Sequence, residues 1–159
     1  MSGACPRWPA PGKILMAHPP IFPNFTIKQP QIMATTNATI LIPDISGFTE
    51  FMTTTELNHS ALAINMLIEA MVKAVGNEYD VAEIEGDAVL LVRKGTAPTR
   101  KEILNTCLNI FNAFHYQRKW MQQHMVCACG ACQAIIHLTL KFVVHHGPVA
   151  EITVGRFVK

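Results

Sequence analysis

The chain has 159 residues, 50% of them hydrophobic and 15% charged, a composition that excludes a wholly disordered protein. Its 13 basic and 11 acidic residues nearly balance, which argues against a nucleic-acid partner. The sequence contains no run of 18 apolar residues and therefore predicts no membrane span. Its five cysteines are odd in number and no export signal begins the chain, so we expect a cytoplasmic protein rather than a secreted disulfide scaffold.

Residues 1–32 form a proline-rich leader that contains most of the chain's prolines. This spacing of prolines excludes a regular helix or a central strand, and we expect the leader to be disordered. Met33 opens the run 33–37, which stands directly before the first predicted strand, so an alternative start of the protein lies at Met33. The remaining residues, 33–159, are predicted to form one domain.

The first predicted elements are a strand and two helices. Residues 38–43 (ATILIP) are apolar and β-branched, which indicates a buried strand, and a short helix is expected over 48–53. A longer helix over 57–75 would begin at a capping box and end at Gly76. The capping box consists of Thr53 and Glu56, and the apolar stripe of the helix consists of Leu57, Ala61, Ile64, Ile68, Met71 and Val75.

The second half of the domain begins with a predicted hairpin, strands 79–84 and 88–92 around the turn Glu85-Gly86-Asp87. A third helix starts at a Thr99–Glu102 capping box and buries a second apolar stripe. An irregular segment over 126–133 leads into a long strand over 136–144, a turn at 146–148 and a last strand over 149–154. The stripe of the third helix consists of Leu104, Cys107, Leu108, Phe111 and Phe114.

The predicted order of elements is β–α–α–β–β–α–β–β. Two β–α–β-like halves around one sheet indicate a ferredoxin-like α+β core. We expect an antiparallel-rich sheet with its helices on one face. The last strand leads to no further helix, so we expect the domain to be incomplete at its C-terminus.

Two aspartates carry the candidate chemistry. Asp44 follows the first buried strand and Asp87 lies in the hairpin turn, so sheet pairing would bring both carboxylates to one point. Paired carboxylates suit Mg²⁺ or Mn²⁺, which prefer oxygen ligands. The adjoining turn offers backbone N–H groups to a triphosphate and consists of Ser46, Gly47, Phe48 and Thr49. The alternative is that Asp44 caps a helix and Asp87 is an ordinary turn residue.

Cys127, Cys129 and Cys132 form a Cys-x-Cys-x-x-Cys segment. Three thiolates this close can chelate one soft ion such as Zn²⁺, with His124 or a partner chain as the fourth ligand. We expect such a zinc ion to have a structural role. The alternatives are a redox site, or a flexible loop in which the cysteines are minor hydrophobes.

Three segments resemble motifs of the class III nucleotide cyclases. Residues 42–49 (IPDISGFT) are similar to the first-strand motif, and residues 83–89 (EIEGDAV) to the hairpin motif that ends in Gly-Asp. Residues 142–149 (FVVHHGPV) are similar to the later Gly-Ile-His-x-Gly-x-Val hairpin. The motifs occur in the family's order and span most of residues 38–154. The resemblance is closest to an uncharacterised bacterial branch that has the same Glu-Gly-Asp hairpin and Cys-x-Cys-x-x-Cys segment.

The resemblance implies a purine nucleoside triphosphate as ligand and a homodimer as the assembly. Two metal ions in such cyclases activate the ribose 3′-hydroxyl, which attacks the α-phosphate and releases pyrophosphate. Asp44 and Asp87 match the metal-binding aspartates, and the Ile45 carbonyl matches a further metal contact. Glu83 stands where adenylate-forming members usually carry a base-reading lysine, which indicates guanine.

The chain also departs from the family pattern. In the family, an asparagine and an arginine that stabilise the transition state lie on a helix after the last hairpin, and the resemblance places that helix beyond Lys159. Because losing one such group typically costs about 3 kcal/mol, we expect this chain to be a poor catalyst or none. Three functions stay open: a nucleotide cyclase domain, a silent regulatory module that binds nucleotide or protein, and a small zinc-stabilised interaction domain with structural aspartates.

Overall fold

The computed structural model describes residues 31–32, 35–124, 127, 129–150, 152–154 and 157–158. Residues 1–30 and Met33 lie outside this part of the chain. The expected disorder of the leader and the alternative start at Met33 therefore stay predictions.

Seven strands, four α-helices and one 3₁₀ turn make up the described chain. The strands are β1 (Gln31–Ile32), β2 (Thr36–Ser46), β3 (Asp80–Glu85), β4 (Ala88–Lys94), β5 (Thr139–Val149), β6 (Ile152–Val154) and β7 (Phe157–Val158). The helices are α1 (Phe48–Thr54), α2 (Leu57–Val75), α3 (Arg100–His124) and α4 (Gly130–Ala134), and the 3₁₀ turn is Ile135–His137.

The main sheet has four strands in the order β3-β4-β2-β5, and all its pairs are antiparallel. The central strand β2 pairs Leu41 with Leu91 of β4 and with Val144 of β5. One face of this sheet packs against α2 and α3, where Leu67, Met71, Ile110 and Phe114 join Leu41 and Leu91 in the core. This arrangement confirms the predicted ferredoxin-like α+β fold. The short strands form a second sheet, in the order β1-β6-β7.

The two long helices bury faces that differ from the predicted stripes. In α2, Leu57 is 67% exposed, while Leu67 is fully buried. In α3, the predicted residues Leu104, Leu108 and Phe111 are exposed, and of that stripe only Phe114 is fully buried. The prediction from apolar spacing was right for Ile64, Met71 and Val75 of α2. It was wrong for other residues because both helices carry more apolar residues than one buried face can hold. The buried faces are Ser60, Ala63, Ile64, Leu67, Met71 and Val75 in α2, and Thr106, Ile110, Phe114 and Met121 in α3.

The chain around β5 also differs from the prediction. Strand β5 begins at Thr139 and runs to Val149, so the expected turn at 146–148 is absent, and Pro148 pairs with Asn37. Proline fits there because β5 is an edge strand, where a missing N–H is tolerated. The following strand β6 pairs with β1 and not with β5.

Of the two predicted capping boxes, the one at the start of α3 is confirmed and the one at the start of α2 does not form. The Thr99 backbone N–H donates to Glu102 Oε2 at 2.7 Å, and the Glu102 N–H donates to Thr99 Oγ1 at 3.3 Å, as a capping box requires. The Thr53 hydroxyl instead donates to the Thr49 carbonyl at 2.8 Å, so it does not cap α2. The side chain of Glu56 is then available for a contact elsewhere.

Candidate functional site

Asp44 and Asp87 meet at one end of the main sheet. Asp44 pairs in register with Ala88, the residue that follows Asp87, and the Ile45 N–H donates to the Asp87 carbonyl at 3.2 Å. Asp87 lies close enough to Asp44 for the charge of Asp44 to act on its carboxyl group. The convergence that sheet pairing predicted is therefore present. Ile45 itself points its side chain into the core, where it is 1% exposed.

The two carboxylates interact electrostatically. Partial burial raises the pKa of Asp87, and the negative charge of Asp44 raises it further. The repulsion between two neighbouring negative charges is relieved by a nearby cation. This end of the sheet therefore attracts positive charge.

Lys141 supplies one such charge, and its role was not predicted from the sequence. It lies directly opposite Asp44 in the β2–β5 pair, and its Nζ atom is 3.3 Å from Asp44 Oδ2. The Lys141 side chain is 59% exposed, so solvent screens the pair and the ammonium group can move without leaving a buried charge behind. The sequence could not predict this contact, because it depends on the register between β2 and β5.

The turn after β2 lies next to the aspartates. Gly47 has φ of +90°, a backbone conformation that favours glycine, and its carbonyl accepts the Phe51 N–H at 3.0 Å. Phe48 packs beside Gly86 of the hairpin turn, since a Cβ atom at Gly86 would lie 3.8 Å from the Phe48 ring. Ser46 pairs with Thr139 of β5, and Thr49 is exposed. The sequence-predicted turn residues thus lie together beside the aspartates.

Glu83 lies on the same face of the sheet as the aspartates. It pairs with Leu90, and Leu90 and Ala88 share a face of β4 because side chains alternate along a strand. This face is opposite the helices and is called here the open face. Its centre is apolar, with Ile42 and Leu90 half-buried and Val143 of β5 54% exposed.

A second cluster of potential ligands lies at the start of α2, formed by His59, Cys127, Cys129 and Cys132. One ligand atom from each of these residues lies within 4.8 Å of the others. His59 Nδ1 is 3.0 Å from the Cys129 sulfur and 3.6 Å from the Cys127 sulfur. These four residues, called here the thiol cluster, can hold a metal ion.

The thiol cluster combines an activated thiol with a protonated one. The hydrogen bond with His59 lowers the pKa of Cys129 to about 6, and the same bond raises the pKa of His59. Burial raises the pKa of Cys132 to about 12. A deprotonated Cys129 is the form that binds metals.

His124, the fourth ligand suggested by the sequence, lies outside the thiol cluster. Its ring stacks on Trp120 with the ring centroids 4.7 Å apart, and its Nδ1 atom is 2.8 Å from the Trp120 carbonyl oxygen. The position near the cysteines is taken by His59, which is 70 residues from Cys129 in sequence. No local spacing could have signalled that contact.

Glu56 contacts the segment that carries Cys129 and Cys132. Its carboxylate accepts hydrogen bonds from the Gly130 N–H at 3.2 Å and the Ala131 N–H at 3.1 Å. These bonds satisfy N–H groups at the start of α4 that have no partner within the helix. The backbone N–H of Glu56 itself lowers the pKa of its carboxyl group most, and the bonds from Ala131 and Gly130 lower it further. Glu56 therefore caps α4 instead of completing the predicted box with Thr53.

Comparison with protein families identifies residues 64–159 as a match to a family described as "Protein of unknown function (DUF2652)". The chain belongs to the DUF2652 family. A search of curated proteins gives no match to this DUF2652 chain. The matched region includes the hairpin with Asp87 and all three cysteines of the thiol cluster.

Solved structures show that the DUF2652 chain has a nucleotide cyclase-like fold. It is similar to the guanylyl cyclase Cya2 with a TM-score of 0.62 at 15% identity, over 81% of this chain and 64% of that one. The adenylyl cyclase CyaB from P. aeruginosa gives 0.60 at 14% identity, over 82% and 65%. A class III adenylyl cyclase-like ATP-binding protein from Pseudomonas aeruginosa gives 0.57 at 17%, over 74% and 26%. The DUF2652 chain thus spans less than two thirds of each of these proteins.

None of the described helices of the DUF2652 chain combines the length and the hydropathy that crossing a bilayer requires.

Proposed function

We propose that this protein binds a purine nucleoside triphosphate together with Mg²⁺ or Mn²⁺ on the open face of its main sheet. The observation that carries the proposal is the pair Asp44 and Asp87, which strand pairing brings together at one end of a cyclase-like sheet, with Lys141 beside Asp44. The fold supports the proposal, since nucleotide cyclases share it.

The donor set fits a hard divalent ion. Mg²⁺ and Mn²⁺ take oxygen ligands, and Asp44 and Asp87 offer carboxylates whose mutual repulsion a cation would relieve. The Ile45 carbonyl is a proposed third contact. When bound, the ion would neutralise phosphate charge. Zn²⁺, the other metal that the sequence suggests, suits the sulfur ligands of the thiol cluster better than these carboxylates.

The protein's own groups would then orient the triphosphate. Lys141 can leave Asp44 when a metal ion takes its place, and its exposed ammonium can contact the phosphate oxygens. The turn from Ser46 to Thr49 adjoins the aspartates and borders the same site. Its proposed role is to position phosphate groups, and Gly47 permits the sharp change of direction that the turn needs.

The proposed base preference is guanine. Glu83 faces the same side of the sheet as Asp44, about 7 Å along the strands from the row of Ala88 and Asp44, given 3.4 Å per residue. A carboxylate accepts hydrogen bonds from the N1 and N2 groups of guanine, which adenine does not offer. The neighbouring apolar side chains Leu90 and Ile42 suit the flat face of a purine.

The proposed assembly is a homodimer through the open face. A sheet normally covers its apolar side, yet Val143 is 54% exposed and Ile42 and Leu90 are only half-buried in the described chain. A second copy would cover these side chains and enclose the nucleotide between two sheets.

We also propose a reducing, cytoplasmic location, because the four described cysteines are free thiols.

The second candidate function is a regulatory module that binds nucleotide without cyclising it. The similar fold of a protein titled adenylyl cyclase-like and ATP-binding favours this candidate. Cyclisation needs groups that stabilise the transition state, whereas binding needs only the metal pair and the phosphate contacts. The third candidate is a zinc-stabilised interaction domain in which the aspartates are structural.

Titration calorimetry with GTP and ATP in the presence of Mn²⁺ distinguishes these candidates. Binding of either nucleotide that requires Mn²⁺ supports the proposal, and no binding of either contradicts it. Chromatography of the incubated nucleotide then separates a cyclase, which forms cyclic product and pyrophosphate, from a silent binder. Substitution Glu83→Lys tests the base contact: the ratio of GTP to ATP affinity should fall, while an unchanged ratio would exclude Glu83 from base recognition.

A further inference from the structure

The thiol cluster brings together side chains from two separate parts of the chain. His59 lies in the first turn of α2, whereas Cys127, Cys129 and Cys132 lie in and before α4. Cys129 and Cys132 are half-buried and Cys127 is exposed, so an ion can reach the site from solvent. All four ligand atoms lie within 4.8 Å of one another.

We propose that His59, Cys127, Cys129 and Cys132 bind one Zn²⁺ ion, which fastens α4 to the start of α2. Zinc binds sulfur at about 2.3 Å and imidazole nitrogen at about 2.0 Å, so a tetrahedral site separates its ligand atoms by about 3.6–3.8 Å. The His59 Nδ1 atom is 3.0 Å from the Cys129 sulfur and 3.6 Å from the Cys127 sulfur. Shifts of about 1 Å or less would complete the tetrahedron.

The ligand chemistry selects a soft or borderline ion over the hard ions proposed for the aspartates. Thiolates and imidazole are the ligands of structural zinc, and Cys₃His is a common set. The carboxylate of Glu56, which contacts the same segment, accepts hydrogen bonds from the N–H groups of Gly130 and Ala131. A fully protein-ligated site of this kind leaves no open position, which fits a structural role.

The position of the zinc site explains what it would stabilise. Helix α4 has only five residues, too few to be stable alone, yet Ala131 and the following Ile135 are each 1% exposed in the core. Leu138 continues this segment and lies 3.6 Å from the place that a Cβ atom on Gly47 would occupy. The ion would therefore brace the segment that packs against the turn beside the aspartates.

Metal analysis of the purified 159-residue chain tests the site with matched controls. We expect one zinc per chain in the wild type, retained in Cys107→Ser and His124→Gln, because those residues lie outside the cluster. Cys132→Ser and His59→Gln should lose zinc or bind it at least tenfold more weakly in a chelator competition. Co²⁺ in place of zinc should give the visible bands of a tetrahedral thiolate site.

Two outcomes would overturn the proposed site. One is a wild-type protein that binds neither zinc nor Co²⁺ after full reduction. The other is zinc affinity that His124→Gln lowers and His59→Gln leaves unchanged. Loss of the half-buried Cys132 can disturb folding, so the comparison of zinc affinity between His59→Gln and His124→Gln decides the ligand set. Circular dichroism is the control for folding. Iron in place of zinc would also contradict the stated ion. None of these readouts uses nucleotide, so they succeed or fail independently of the proposed function.

Discussion

Lys141 holds its ammonium group 3.3 Å from the carboxylate of Asp44, across the β2–β5 pair. The contact lies at the end of the sheet where Asp44 meets Asp87, so one cation and two carboxylates form a small charged group. A metal ion and a triphosphate would change both partners of this contact, since the ion competes for Asp44 and the phosphates attract Lys141. This relationship gives the proposed site its first test.

Substitution Lys141→Ala should move two affinities in opposite directions. Mn²⁺ alone should bind about two- to fivefold more tightly, the effect of removing an exposed ion pair worth about 0.5–1 kcal/mol. Mn²⁺-GTP should bind more weakly because a phosphate contact is lost. Calorimetry measures both, and Lys73→Ala is the control, since Lys73 forms a comparable exposed pair with Glu69 on α2. Equal changes of the two affinities in Lys141→Ala and Lys73→Ala would show that Lys141 does not belong to the site.

Substitution Gly47→Ala should lower both stability and nucleotide affinity. Gly47 has φ of +90°, where an L side chain costs about 1–2 kcal/mol, although a Cβ atom there would have ordinary contact distances. Gly76→Ala is the control outside the site, because Gly76 also has a positive φ, +69°, and open space around it at the end of α2. Denaturation should show a loss of stability for both variants, and the larger loss for Gly76→Ala, because Gly76 has ψ of −149°, a region that L residues avoid, whereas Gly47 has ψ of 0°. Mn²⁺-GTP binding should weaken only for Gly47→Ala.

Much of the fold could be predicted from local sequence signals. Helix α2 has the predicted bounds, and Gly76 ends it as expected. The hairpin forms at the predicted turn Glu85-Gly86-Asp87, where Gly86 has φ of +62°. The meeting of Asp44 and Asp87 followed from pairing of neighbouring strands. These features depend on residues close in sequence or on one simple sheet topology.

Other features required the tertiary structure. Leu104 and Leu108 fit an apolar stripe as well as Ile110 does, yet only packing against α2 decides that Ile110 is buried. His59 reaches Cys129 over 70 residues, and Lys141 meets Asp44 only through the β5 register. Such contacts are set by how elements pack, which no spacing of residues encodes.

Substitution Val143→Glu should disrupt the proposed homodimer. It places a charge on the apolar open face, where Val143 is 54% exposed, and a buried unpaired charge strongly disfavours association. Leu62→Glu is the control, because Leu62 is 51% exposed on α2, away from this face. Sedimentation should show a dimer for the wild type and Leu62→Glu and a monomer for Val143→Glu. A wild type that stays monomeric with Mn²⁺-GTP would contradict the proposed interface.

The capping box of α3 should make stability depend on pH in the acidic range. The hydrogen bond with Thr99 lowers the pKa of Glu102 below its usual value of 4.5, so its contribution is complete above that value and is lost as pH falls through the lowered pKa. Melting temperatures between pH 6 and pH 3 should therefore fall more steeply in the wild type than in Glu102→Gln. The exposed Glu69→Gln is the control, and parallel curves for wild type and Glu102→Gln would contradict the prediction.

The most direct test of the central claim is the Mn²⁺-dependent GTP affinity of Asp44→Ala and Asp87→Ala beside Asp80→Ala. Asp80 is an exposed carboxylate at the far end of β3, paired with Val92 and away from the proposed site. Calorimetry should show at least a tenfold loss, about 1.4 kcal/mol, for the first two variants and none for Asp80→Ala. An unchanged affinity for Mn²⁺-GTP in Asp44→Ala and Asp87→Ala would contradict the account, because the nucleotide would then bind at another site.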